Sequence, residues 1–241
     1  FILIFLIYKV ELFNGYQEIL NFSLLIFLTK IFHEILTQKL PIKDFNNKFI
    51  FLFVLINSII WIKSESTFIV VIFLLSIFLL KEIDKKIKIM MILVFMFLLL
   101  SKYYIFNFIG LSHEIQKGNY EYFQISNFFD FVNFPRAILI TKYIFFYSLD
   151  NIIFLTAIIC IYVMKKYDKK NKLILPFLFM FILGLGFFMI AFLFTSFPLK
   201  WVLWVSLYRI MLEINGLYVI LFPLIYDFLK RKKFLIASRV L

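Results

Sequence analysis

The stretch Leu173–Phe194, LILPFLFMFILGLGFFMIAFLF, carries no charged side chain from end to end. Its length matches the roughly 20 apolar residues that a helix needs to cross the hydrocarbon core of a bilayer. Working outward, Phe49–Trp61, Phe68–Leu80 and Ile89–Leu100 repeat the pattern as shorter, nearly charge-free runs bounded by polar residues. Runs of about 13 residues fall short of a full span and must tilt, or borrow flanking Lys, Tyr or Trp as snorkelling ends. The whole chain is 64% hydrophobic, against roughly 45–50% for a soluble domain. Its mean hydropathy is +0.99. These features predict an all-α fold: a polytopic transmembrane bundle of about seven to eight spans. Residues 1–241 read as one transmembrane domain, with no polar segment long enough to bury a core of its own.

The turns between the apolar runs alternate in basic content, which sets an orientation through the excess of Lys and Arg on cytoplasmic loops. Lys39–Lys48, Lys81–Lys88, Lys165–Lys172 and Lys230–Arg239 are the basic turns, and of the 26 Lys and Arg only Lys9, Lys63, Lys102, Lys117, Arg136, Lys142, Lys200 and Arg209 fall on the other side. The basic turns are therefore expected on the cytoplasmic side of the membrane. The formal charge of +12 then resides in short juxtamembrane turns facing anionic lipid, which argues against nucleic acid as a partner. The expected helices run over 1–8, 18–36, 49–62, 67–80, 88–105, 150–165, 173–194 and 212–229. Residues 102–150 form the longest outer loop, whose apolar and basic part FPRAILITKYIFFY reads as an interfacial helix. The chain opens on Phe1 with an apolar run in progress and reads as a fragment lacking amino-terminal spans.

Several chemistries are absent from the sequence. No Walker loop, Gly-rich dinucleotide turn, HExxH or GxSxG occurs, so no nucleotide cofactor is expected. Cys160 is the single cysteine, and His33 and His113 are far apart, which leaves no Cys or His metal cluster. A divalent ion held by carboxylates stays open.

Charged residues at the outer ends of apolar runs are the candidates for chemistry, because charge at bilayer depth is costly. Glu18 begins a helix in GYQEILNF, Lys63 and Glu65 close one in WIKSESTF, and Arg209 sits in KWVLWVSLYRIMLEI. Each also has a plain reading. Glu18 complements a helix dipole, Lys63 and Glu65 make an interfacial pair worth little energy, and Arg209 joins Trp201, Trp204 and Tyr208 in an aromatic belt. His113, Glu114, Glu121 and Asp130 in the long loop are further substrate-contact candidates.

Three of these segments resemble, in order, bacterial membrane glycosyltransferases of the GT-C superfamily, relatives of protein O-mannosyltransferases and aminoarabinose transferases. Gly15–Leu20 is similar to that family's GYADL helix start, with Glu18 in place of Asp. Trp61–Ser66 is similar to its TKNEG element, with Ser66 where glycine is usual. Phe194–Trp201 and Ser206–Leu212 resemble its terminal segment, with Tyr208 replacing an acidic residue and Gly216 falling where proline is common. The resemblance implies transfer of a sugar from a polyprenyl-phosphate carrier to an acceptor on the outer side of the membrane. The acceptor is not specified, and the main catalytic acid is implied in a first outer loop ahead of Phe1.

A lipid phosphate leaving group needs cations at the membrane edge, and an acceptor hydroxyl needs a carboxylate. Lys63 and Arg209 would serve the phosphate, Glu18 the acceptor or a divalent ion, and Glu65 would hold Lys63. The competing reading is a polysaccharide polymerase or flippase-like transporter. It would favour polar or Gly-broken helices at mid-depth, where Asn57, Ser58, Ser76, Thr156, Gly184 and Gly186 are the inventory. A non-catalytic membrane scaffold is the remaining class.

Overall fold

The hydrophobic runs fold as helices packed side by side in the computed structural model, which describes residues 17–37, 42–62, 66–80, 83–109, 134–167, 174–193, 198–226 and 229–230. The long helices among the described residues are, in chain order, α1 (Gln17–Thr37), α2 (Ile42–Ile62), α3 (Ser66–Phe78), α4 (Lys85–Ile109), α5 (Phe134–Asp150), α6 (Ile152–Tyr167), α7 (Ile174–Leu193) and α8 (Leu199–Asn215). No strand occurs among the described residues. The expected helix at 1–8, the residues Lys63 and Glu65, and the loop carrying His113, Glu114, Glu121 and Asp130 lie outside them.

Polar contacts between helix ends set the directions of the first four helices. Lys48 at the start of α2 pairs with Glu34 near the end of α1 at 2.6 Å, so these two run antiparallel. Asn21 near the start of α1 meets Ser66 at the start of α3, so α1 and α3 run the same way. Lys88 at the start of α4 donates to the carbonyls of Phe78 and Leu80, and Lys102 late in α4 donates to Ile60 O late in α2. In both places an ammonium satisfies carbonyls that a helix end leaves without intrahelical partners. The starts of α1 and α3 and the ends of α2 and α4 thus lie at one end of the bundle.

Burial divides the helices by position. α3 is buried over most of its surface, at Ser66, Ile69, Val70, Ile72, Phe73, Leu74, Ser76 and Ile77, with Phe68, Leu75 and Phe78 exposed, and packs against α2, α4 and α7. α4 is its opposite. Only Met91 and Phe95 are buried, while Leu93, Phe97, Leu100 and Phe108 stand exposed. A helix that is apolar on its exposed side is stable where lipid or another apolar surface covers it.

Among the described residues two helices, Lys85–Ile109 and Leu175–Leu193, are each long and apolar enough to cross a membrane, or three spans if the bent pair α5 and α6 counts as one. The seven to eight spans expected from the sequence are not reached by that measure. At 1.5 Å per residue, the 13 residues of α3 cover about 20 Å, against a hydrocarbon core of about 30 Å.

The α5–α6 junction bends by 85°. Asn151 builds it: its side-chain oxygen accepts from Phe154 N at 3.1 Å, the capping pattern of a helix start. Its amide nitrogen donates to Tyr147 Oη at 2.8 Å. With a bend near a right angle, α5 and α6 cannot both run along a membrane normal. If α6 crosses, α5 lies along the surface, the place expected for an interfacial helix.

The carboxy-terminal expectation changes. In place of one helix over 212–229, α8 starts at Leu199 behind Pro198, whose φ of −53° is set for helix entry. It ends at Asn215, residues 216–220 turn through bonds such as Leu217 N to Ile214 O at 2.9 Å and Tyr218 N to Asn215 O at 3.0 Å, and residues 221–226 are helical again, as expected for that part of the segment. The segment carrying Arg209, which the expected helices left out, joins Glu213 in one helix of the bundle. Both find polar partners within it, so α8 packs on α1, α5 and α7.

Candidate functional site

Packing α8 across the first turns of α1 brings together polar side chains from three distant parts of the chain. Glu18, in the first turn of α1, is 1% exposed. Arg209 reaches it from α8, with Nε at 2.9 Å and one Nη at 2.5 Å from the same oxygen, Oε1. The partners differ in exposure, since 35% of the Arg209 side chain stays accessible. The guanidinium is therefore anchored from the inside and presented at the rim. A charge-assisted bond of this kind is about twice as strong as a neutral one.

One helical turn deeper, a second group forms around Glu213. Its Oε2 accepts from Asn21 Nδ2 and from Ser66 Oγ, each at 3.2 Å, and Asn21 also donates to Ser66 Oγ at 2.5 Å. Asn21, Ser66 and Glu213 are all buried. Asn21 and Glu18 are three residues apart on α1, and Arg209 and Glu213 four apart on α8, so each helix turns two polar residues to one face. In an interior otherwise made of Leu, Ile and Phe, these bonds offset a large cost of burying polar groups.

Gly216 sets how closely the two helices approach. A Cβ at this position would lie 2.5 Å from Phe22 O and 3.0 Å from Leu25 Cβ. Only a residue without a side chain lets the end of α8 rest against the α1 backbone. The rings of Tyr147 and Tyr208 meet edge to face, with centroids 5.1 Å apart, and tie α5 to α8 beside Arg209.

The sequence candidates are distributed as follows. Glu18 and Arg209 come together, and each is the other's partner. Glu18 and Glu65 were expected to act as the catalytic carboxylates, and Lys63 and Arg209 to bind the phosphate. Lys63 and Glu65 lie just before Ser66, outside the described residues. Trp201 and Trp204 are exposed on α8, as an aromatic belt requires. No group of three His, Cys, Asp or Glu able to hold a metal occurs among the described residues. Reading the sequence missed Asn21 and Glu213. The signal was present for Glu213, a carboxylate in an apolar helix one turn beyond Arg209. No protein-family model, curated protein or solved structure matches the chain.

Proposed function

We propose that this chain is part of a membrane glycosyltransferase that moves a sugar from a polyprenyl-phosphate-linked donor to an acceptor at the outer face of the membrane. One observation supports this reading above the others. The three segments that resemble the GT-C enzymes, near Glu18, Ser66 and Arg209, contribute to two polar groups one helical turn apart, although 191 positions separate Glu18 from Arg209. An exposed apolar belt on α4 and, among the described residues, two helices of membrane-crossing length support a bilayer setting for them.

In this reading Arg209 is the cation that meets the phosphate as the glycosidic bond breaks. The leaving phosphate gains charge, and a guanidinium fixed beforehand stabilises it without reorganising. Glu18 is a positioning residue: it holds the fork from behind. The Asn21–Ser66–Glu213 group keeps α1, α3 and α8 in register around it. Glu65 is the carboxylate assigned to take the acceptor proton.

The test uses the complete protein in membrane vesicles supplied with radiolabelled polyprenyl-phosphate sugars. Transfer of label to an acceptor is expected, with Arg209→Ala slower by on the order of 10². Glu18→Gln should be slowed less. Lipid-linked sugar crossing the membrane with its glycosidic bond intact would replace the transferase reading with a flippase. Transfer by Arg209→Ala at the unmodified rate would remove the role given to this residue.

A further inference from the structure

A second polar feature lies on the α5 side of α8. Leu139, Lys142, Tyr143 and Phe146 occupy one face of α5 at helical spacing, and Lys200 enters from the first turn of α8. Together they line a cavity of about 350 Å³, within the range of small-ligand sites. Two lysines share its lining, and no carboxylate of the described residues joins them. Lys142 is held over the ring of Phe146, 5.9 Å from its centroid. The positive end of the α8 dipole adds to the field at Lys200. Two cations in one cavity repel each other, and an anion between them turns that repulsion into attraction.

We propose that this cavity binds the phosphate headgroup of an anionic glycerophospholipid. Three features favour a lipid over a soluble phosphate. The other three lining residues, Leu139, Tyr143 and Phe146, are apolar or aromatic and suit a glycerol backbone and the start of an acyl chain. Trp201 and Trp204, 55% and 78% exposed, follow Lys200 on the same helix and mark the depth at which headgroups lie. The 85° bend after α5 sets this helix crosswise to α6, so that with α6 crossing the bilayer α5 runs at headgroup level. The site is separate from Arg209, nine positions further along α8 and about 14 Å away along the axis. It stands whether or not the chain transfers sugars.

The experiment is native mass spectrometry of the detergent-purified full chain, titrated with phosphatidylglycerol and, separately, with phosphatidylcholine. Phosphatidylglycerol should bind in preference. Lys142→Gln with Lys200→Gln should weaken it by on the order of 30-fold, from the attraction of two lysines to an anionic headgroup. Labelling of Cys160, the single and buried cysteine, checks that the variant is folded. If that variant is unfolded, the single substitutions are titrated instead, each expected to lose about fivefold. Equal binding of the two lipids, or binding unchanged by the substitutions, overturns the proposal. Displacement of the lipid by millimolar inorganic phosphate does so too, because it makes the cavity a soluble-anion site.

Discussion

Replacing Gly216 by alanine adds one methyl group at the tightest helix contact of the site. The new Cβ would sit 2.5 Å from Phe22 O, about 0.9 Å inside the 3.4 Å at which ordinary contact begins. The obstacle is backbone, so α1 and the end of α8 must separate by most of that distance. The local conformation is no barrier, since φ of −55° at Gly216 suits alanine, and the chain-entropy effect alone would stabilise by about 0.4–1 kcal/mol. Against this stand about 1–3 kcal/mol of overpacking and the stretching of the Arg209–Glu18 and Asn21–Glu213 bonds from 2.9 and 3.2 Å. The net expectation is a loss of roughly 1–2 kcal/mol, or about 2–8 °C in melting temperature for a chain of this size. Reaction of buried Cys160 with a fluorogenic maleimide during a thermal ramp reads the unfolding directly. Gly186→Ala is the control, because a Cβ there meets nothing within 4 Å. Equal melting of the Gly216→Ala and Gly186→Ala proteins would refute the close approach of α8 to α1.

Other substitutions probe separate parts of the account, read in the same ramp. Asn151→Ala removes the cap of α6 and should cost about 1 kcal/mol, whereas Asn151→Asp, which keeps the accepting oxygen, should melt close to the parent. Ser66→Ala and Asn21→Ala each remove a donor to the Glu213 carboxylate and should each cost about 1.5–3 kcal/mol. Because they share that partner, their effects should depart from additivity by at least about 0.5 kcal/mol; strict additivity would contradict the shared network.

Most of the helical framework was legible because it follows from hydrophobic runs and their polar boundaries. α1, α3, α6 and α7 lie within about two residues of the expected bounds. α2 begins earlier, at Ile42, and α4 runs further, to Ile109. The interfacial reading of Phe134–Tyr147 rested on its mixture of charge and apolar residues, and the bend at Asn151 gives it a geometric counterpart. The error over α8 has an instructive cause. Arg209 and its neighbouring tryptophans read locally as a boundary belt, so the expected helix began at 212, and only tertiary structure supplies Glu18 to pair with Arg209. Glu18 and Arg209 were recognisable one at a time as costly charges near helix ends. That they bond to each other was not, since nothing local links positions 18 and 209.

The ion pair across that separation is the central claim, and a double-mutant cycle of Glu18→Gln and Arg209→Gln tests it most directly, with Cys160 reactivity as the measure of stability. Removing Arg209 alone leaves the buried Glu18 carboxylate without this partner, a change that costs about 3–5 kcal/mol for a buried pair. Neutralising both removes the stranded charge. The account predicts that the double variant melts at a higher temperature than Arg209→Gln alone. A double variant that melts lower, by the sum of the two single losses, would show that Glu18 and Arg209 do not interact.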